Sequence, residues 1–346
     1  MADPMLTVLT DPPDPAAAPA LRWGILAPGG IAHRFAREVG AHTRSVIAAV
    51  GSRDLGRARR FADQYGIARA HGSYEDLVAD PDIDAVYIAS PHSEHHDHAV
   101  LALTAGKPVL VEKAFTLNEA QAAAVFALAR QKQLFVMEAM WSRFLPHYAR
   151  LRQLVADGRL GELRHVTAIH AQSLSLDPLG RFMNPAVGGG ALLDLGVYPL
   201  ACCHMLLGVP DSLVTLGVVA PTGVDRAETI ALRWGDTLGT AVADCAGAGL
   251  SSLAVVGTAG RVDVPDWFYT PQDLVFTPRG GEPTVLPTRV EGGFQFEAAE
   301  AARQIAAGAL ESPWMTWQDT LDVMRTMDEV RRQLGVRYPQ EAAAGD

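Results

Sequence analysis

Three glycines, Gly188-Gly189-Gly190, lead into Ala191-Leu192-Leu193-Asp194-Leu195-Gly196-Val197-Tyr198, an apolar stretch with a carboxylate and a phenol four residues apart. On a helix that spacing stacks both side chains on one face. Held together, Asp194 and Tyr198 can orient a hydroxyl and exchange its proton, provided a cation lowers the tyrosine pKa from about 10. Lys113 is the candidate cation. The pair alone also suits a structural helix, because Leu192, Leu193, Leu195 and Val197 are core residue types and a carboxylate near a helix start can satisfy backbone donors. The rest of the chain reverses those odds.

A second constellation, Ala27-Pro28-Gly29-Gly30-Ile31-Ala32, follows an apolar strand and opens a helix. It approaches G-x-G-x-x-G/A with alanine at the first glycine, and a pyrophosphate at such a helix N-terminus meets free N–H groups and a favourable dipole. A second strand ends about 20 residues later, where ribose hydroxyls are read. Gly51-Ser52-Arg53 stands there. A hydroxyl and a guanidinium in place of an acid suit a 2'-phosphate, which favours NADP, with NAD as the alternative because Asp54 is adjacent. The structural alternative is that Ser52 caps the next helix and Arg53 is solvated.

The elements that must position these residues alternate. Strand-like runs over 23–27, 45–50, 85–89, 109–111 and 134–136 are separated by helical patterns over 31–41, 55–65, 74–79, 96–105 and 118–131. That alternation predicts a doubly wound parallel sheet over 21–140. Beyond Trp141 the pattern becomes a helix over 148–156, a strand over 164–173, the Asp194 helix, and several strands over 214–264. This predicts a second α/β domain over 141–335, with helices on a largely antiparallel sheet. Residues 1–20, rich in Pro and Asp, and the alanine-rich 336–346 read as flexible tails.

Over 346 residues, 49% hydrophobic and 20% charged content describe a globular protein, and no apolar run is expected to approach the roughly 20 residues of a membrane span. A formal charge of −10 excludes a broad nucleic-acid surface and leaves small molecules as partners. Cys202, Cys203 and Cys245 make neither a disulfide framework nor a zinc spacing, so a cytoplasmic setting is expected. His92, His95, His96 and His98 lack a completing cysteine or carboxylate pair, and no metal is expected. Arg57, Arg59 and Arg60 read as an exposed helix face, and Gln295, Glu297 and Glu300 as structural.

Tyr87-Ile88-Ala89-Ser90-Pro91-His92-Ser93-Glu94-His95 and Ala105-Gly106-Lys107-Pro108-Val109-Leu110-Val111-Glu112-Lys113 resemble motifs of the Gfo/Idh/MocA oxidoreductase family. Together with Met137-Glu138-Ala139-Met140-Trp141-Ser142-Arg143-Phe144 and the Asp194/Tyr198 helix, the chain is most similar to the branch of dihydrodiol dehydrogenases, NADP-dependent xylose dehydrogenases and glucose-fructose oxidoreductases.

The resemblance implies a Rossmann domain, a second domain with an open-faced sheet, and hydride exchange between nicotinamide and a carbinol carbon of a sugar, cyclic polyol or dihydrodiol. It places Ser90, Pro91, His95, Glu112 and Lys113 at the cofactor, and makes Lys113, Asp194 and Tyr198 the catalytic set. Trp141 becomes a substrate wall, with Trp267 or Phe268 as another. Either Tyr198 or Lys113 carries the proton. Ala114 stands where the family usually has proline. An open-faced sheet implies a homodimer or homotetramer. Two other functions fit: a ketoreductase of a nucleotide-linked deoxysugar, and a non-catalytic NADP sensor.

Overall fold

The computed structural model describes residues 12–342, which divide into two compact units, 13–141 with 292–321 and 142–291 with 322 onward. The first unit alternates β1 (Arg22–Leu26), α1 (Gly30–His42), β2 (Val46–Gly51), α2 (Leu55–Tyr65), β3 (Arg69–His71), α3 (Tyr74–Ala79), β4 (Ala85–Ile88), α4 (His95–Thr104), β5 (Val109–Glu112), α5 (Glu119–Lys132) and β6 (Val136–Ala139). All strand pairs are parallel, in the order β3-β2-β1-β4-β5-β6. That is the doubly wound order of a dinucleotide-binding fold. Every residue of β4, β5 and β6 is buried, the mark of strands covered on both faces rather than on one. α3 approaches closely because Gly51 lacks a side chain; a Cβ there would lie 2.8 Å from that of Leu77. The three-residue edge strand β3 gave no pattern in the sequence.

The second unit contains α6 (Pro146–Ala156), β7 (Leu163–Ala171), α7 (Val197–Leu207) and the strands β8 (Ser212–Val219), β9 (Asp225–Trp234), β10 (Thr237–Asp244), β11 (Leu250–Gly257), β12 (Gly260–Val264), β13 (Leu274–Pro278) and β14 (Thr284–Leu286). The sheet order is β14-β13-β12-β11-β7-β10-β9-β8, antiparallel except for the parallel pair β7 and β10.

α7 covers one face of this sheet, where Val166, Ala168, Ile230, Leu232, Ala241 and Ala243 are buried. On the other face the register aligns Val214, Ala231, Thr240, Thr167 and Ala254 across five strands. Leu216 is 77% exposed there, and Val214 and Leu238 are also exposed. The sheet is therefore open-faced. The helical segment Pro185–Leu207 corrects the expectation about apolar runs. It is long and apolar enough by composition to cross a membrane, yet 89% of its apolar window is buried inside the protein, as in a core helix.

The chain then returns. α8 (Phe294–Ala306) packs on α1 in the first unit, so residues 292–321 do not sit with the second domain as expected. Amphipathic periodicity identifies a buried face without saying what covers it. α9 (Trp317–Leu334) begins in the first unit, where Trp317 Nε1 donates to the Val136 carbonyl at 2.9 Å, and passes residue 321 into the second.

The expected tails are also shorter than read. Residues 1–11 and 343–346 lie outside the described residues, but Arg303 donates to the Asp14 carbonyl at 2.7 Å and Ala18 is buried. At the other end Val336 and Tyr338 are buried, and α10 (Pro339–Ala342) follows. One or two apolar anchors inside a polar segment leave no periodicity to detect.

Between β1 and α1, Ala27 adopts φ +69°, a left-handed conformation that costs a residue with a Cβ about 1–2 kcal/mol. Glycine there removes the clash at the expense of unfolded-state entropy. Ala27→Gly is expected to raise the unfolding free energy by about 1 kcal/mol in urea denaturation, and a decrease would contradict this account.

Candidate functional site

In the first unit, β1, β2, β4 and β5 lie side by side, and their carboxyl ends bring together the residues that the sequence assigned to a cofactor. Ala27 N donates to the Gly51 carbonyl at 3.1 Å and Gly29 N to that of Ala27 at 2.8 Å, which turns the chain into α1. No side chain caps α1, so its first N–H groups keep their capacity for an anion, and a Cβ on Gly30 would meet nothing within 4 Å. Ile31 is half-buried, and Ala32 is buried.

At the end of β2, Ser52 is buried and its Oγ accepts from Asp54 N at 3.2 Å. The cap of α2 is Asp54, whose Oδ1 accepts from Gly56 N at 2.8 Å and Arg57 N at 3.2 Å, so Ser52 is not the cap. Arg53 is exposed and lies near Tyr74; Arg57, Arg59 and Arg60 are exposed as well. A turn with open space at Gly30 and uncapped helix donors fit the pyrophosphate of a nicotinamide dinucleotide.

Beyond β4, Ser90 is buried and Pro91 exposed. His95 is fully buried, with Nε2 2.8 Å from the Ser90 carbonyl and Nδ1 2.9 Å from that of Ala114. Burial, with His92 alongside, brings its pKa down to about 3, so the ring is neutral and donates to one carbonyl at a time. His95 thus ties the end of β4 to the residue after Lys113. Glu112, buried at the end of β5, accepts from Tyr87 Oη and from Lys113 N at 3.2 Å. Among the described residues, no group of three or more His, Cys, Asp or Glu is arranged to hold a metal ion.

Trp141 is only 2% exposed; its ring stacks on Phe294 at 5.0 Å, and the Arg34 guanidinium lies 4.3 Å from its centroid. Its ring is thus engaged within the first unit. Gln295, Glu297 and Glu300 are all buried; Gln295 accepts from Gly293 N at 2.5 Å and Glu300 from Ser312 Oγ at 2.7 Å.

The second unit holds the other constellation. Residues Leu192–Gly196 form a π-helical turn ahead of α7, so Asp194 and Tyr198 are not stacked on one regular α-helical face as the sequence predicts. Such turns often mark functional positions. Asp194 pairs with Arg181 at 2.8 Å. The Tyr198 ring lies 4.7 Å from that of Tyr269 and 5.3 Å from His170.

Gln172 Nε2 donates to His170 Nε2 at 2.7 Å and to Tyr269 Oη at 2.6 Å. The other ring nitrogen, Nδ1, therefore carries the His170 hydrogen and donates to the Leu195 carbonyl at 3.1 Å. His170 thus links the π-turn to the aromatic group around Tyr198. Trp267 is 40% exposed beside Tyr269, whereas Phe268 is wholly buried and its carbonyl accepts from His147 Nε2 at 2.8 Å. Phe268 is a core residue rather than an open wall. His170, Gln172, Tyr269 and Arg181 were missed, although the period-two spacing of His170 and Gln172 on a predicted strand placed both on one face.

Two family models match the chain: an oxidoreductase family with an NAD-binding Rossmann fold over residues 21–140, and the GFO/IDH/MocA C-terminal domain over residues 148–263. A trans-1,2-dihydrobenzene-1,2-diol dehydrogenase of Bos taurus is 34% identical over 334 residues, covering 93% of this chain and 99% of its own. A D-xylose 1-dehydrogenase (NADP(+)) of Hypocrea jecorina is 33% identical, over 92% of this chain and 93% of its own. Among solved structures, an aldose-aldose oxidoreductase from Caulobacter crescentus complexed with glycerol matches with a TM-score of 0.83 at 25% identity, over 91% of this chain and 97% of that one.

His147 supplies a pH test. Burial lowers its pKa to about 4 from an ordinary 6.5. Below pH 6.5 the unfolded chain therefore binds a proton that the native ring refuses, and stability falls as pH drops toward 4. The buried acids Glu228 and Glu297, whose pKa values burial pushes well up, act in the opposite direction, so the contribution is read by difference. Between pH 6.5 and 5 the wild type should lose about 1.5 kcal/mol more than His147→Gln in urea unfolding. Equal losses would show that the ring titrates normally in the native state.

Proposed function

Since the chain belongs to the Gfo/Idh/MocA oxidoreductase family, we propose that it is an NADP-dependent dehydrogenase acting on a carbinol or carbonyl carbon of a sugar, cyclic polyol or trans-dihydrodiol. The observation that carries this reading is the second-unit group: a phenol, Tyr198, set among Tyr269 and His170, four residues after a carboxylate pinned by Arg181. When bound, the nicotinamide supplies the hydride acceptor or donor.

The chain's own residues manage the proton and the orientation. Asp194 accepts a hydrogen bond from a substrate hydroxyl, and Tyr198 takes the departing proton in oxidation or returns it in reduction. Lys113 is the cationic group of the reaction. The exposed ring of Trp267 and that of Tyr269 suit the apolar face of a pyranose or a dihydrodiol. The names of the dihydrodiol and xylose dehydrogenase relatives support that substrate class.

Preference for NADP is supported at the end of β2. The nearby carboxylate, Asp54, spends its Oδ1 on two α2 amides, while Arg53 remains exposed for a 2'-phosphate. The name of the xylose dehydrogenase relative includes the same cofactor. The test is titration with NADPH and NADH, then turnover on aldoses, inositols and diols by wild type and Tyr198→Phe. NADPH is expected to bind tighter than NADH, and Tyr198→Phe to keep that binding while losing about 100-fold or more in kcat. Binding without turnover on any substrate would favour a nucleotide-sugar or sensor role, and absence of dinucleotide binding would refute the reading.

The open sheet face supports self-association as part of the same reading. Leu216, Val214 and Leu238 expose apolar surface on adjacent strands, which a second copy of the chain would cover. Light scattering is expected to find a dimer or tetramer that Leu216→Glu converts to a folded monomer; a monomeric wild type would contradict this.

A further inference from the structure

Two acids lie beneath the turn that carries Asp194. Asp225, at the start of β9, is wholly buried, and Glu228 is 2% exposed. Asp225 Oδ2 accepts from Leu192 N at 2.5 Å, at the first residue of the π-turn. Gly190, at φ +122°, passes so close that a Cβ there would sit 2.5 Å from Asp225 Oδ1. A Cβ on Gly196, the last residue of the turn, would sit 3.0 Å from Glu228 Oε1. The two acids therefore touch the catalytic segment just before it, at its first residue and at its last.

Asp225 Oδ1 and both Glu228 oxygens are buried with no hydrogen-bond donor, while the two carboxyls lie within hydrogen-bonding reach of one another. Two ionised carboxylates in that position would repel and leave three acceptors empty. One proton between them converts the contact into a hydrogen bond.

We propose that Asp225 and Glu228 share a single proton and act as positioning residues, clamping the turn over 190–196 so that Asp194 and Tyr198 are held for the reaction. Glu228 carries the proton and donates it to Asp225, whose other oxygen holds Leu192 N. Burial first, and then Asp225, pushes the Glu228 pKa well up, the direction that favours its protonated form. The other groups facing the pair are Asp244 at the end of β10, Cys245 just after it, and Arg331 and Tyr338 near the C-terminus. Arg331 pairs through its Nη atoms with Asp328 at 2.6 Å and with Glu341 at 2.8 Å, while its Nε is buried without a hydrogen-bond partner. Tyr338 Oη donates to the Gly189 carbonyl at 2.8 Å and fixes the approach to the same turn.

The inference deepens the dehydrogenase reading and rests on it only for the role of Tyr198. The test compares Glu228→Gln, Glu228→Ala and Asp225→Ala, each in wild-type and Tyr198→Phe backgrounds. Turnover is followed with NADP+ and the best of D-xylose, myo-inositol and trans-1,2-dihydrobenzene-1,2-diol. Glutamine carries a permanent donor in place of the shared proton, so Glu228→Gln should restore the kcat that Glu228→Ala loses by about 10- to 100-fold. NADPH affinity should stay unchanged in all three. In the Tyr198→Phe background the alanine changes should cost far less, because the group they position is gone.

Two readouts do not depend on turnover. Infrared spectra of wild type minus Glu228→Gln should contain the carbonyl stretch of one protonated carboxyl, and hydrogen exchange at Leu192 N should accelerate in Glu228→Ala but not in Glu228→Gln. Loss of kcat in Glu228→Gln equal to that in Glu228→Ala, full additivity with Tyr198→Phe, or absence of the carboxyl band would each overturn the proposal. Undiminished turnover in Tyr198→Phe alone would refute the catalytic role of Tyr198 and leave the clamp to be judged by the infrared and exchange results. If the alanine variants fail to fold, the glutamine variant and the infrared difference decide.

Discussion

A parallel sheet has no tight hairpins, so each strand of the first unit must be followed by a crossover that returns the chain to the same starting edge. That constraint sets much of what the unit can do. It requires both faces of the sheet to be covered, which is why β4, β5 and β6 are buried at every residue instead of alternating. It also sends every strand in one direction, so that Leu26, Gly51, Ile88 and Glu112 all end on a single edge. Residues far apart in the chain, from Ala27 to Lys113, are gathered there without any of them having to pay for the gathering. The order reverses between β1 and β4, and a doubly wound sheet leaves a crevice for a ligand at such a point.

The second unit solves a different problem. Its sheet is almost wholly antiparallel and is covered on one face by α7, a helix so apolar that its segment has the composition of a membrane span. Burying such a helix is favourable by roughly 25 cal/mol per Å² of apolar surface, but the turn that delivers it brings backbone polar groups into the same interior. Those groups are met one by one. Leu192 N finds Asp225, the Leu195 carbonyl finds His170, and the Gly189 carbonyl finds Tyr338. Each partner comes from a different part of the chain, so the turn is fixed by tertiary contacts and not by local propensity.

This contrast accounts for what the sequence made legible. The alternation of strands and crossovers repeats a local pattern, and the doubly wound sheet with its cofactor motifs could be read from it. The pattern of the open-faced sheet was legible more coarsely, as runs broken by Gly, Pro and Asp. The Asp194/Tyr198 segment was found by its residue types, but its π-helical geometry was not, since Asp225 lies 33 residues from the amide it holds. Trp141 shows the same gap. Nothing local says that a tryptophan ring will be stacked on Phe294, 153 positions away, with Arg34 beside it. Phe268 and Trp267 are neighbours with similar side chains, and only the fold decides that one is core and the other exposed.

Acids in such an interior raise the question of why amides do not stand in their place. A protonated carboxyl donates one hydrogen bond and an ionised one donates none, so a carboxyl pair with one proton has a donor and three remaining acceptor sites directed by who holds the proton. An asparagine or glutamine fixes donor and acceptor permanently and must be oriented correctly by its surroundings. Asp225 has to accept from Leu192 N on one oxygen while leaving no side chain room at Gly190 beside the other. Because a carboxylate is symmetric, both of its oxygens are acceptors whichever way the group turns, and the glycine can approach without forcing a choice. The desolvation cost of the two acids is reduced once the pair carries a proton, since the net buried charge is then one and not two.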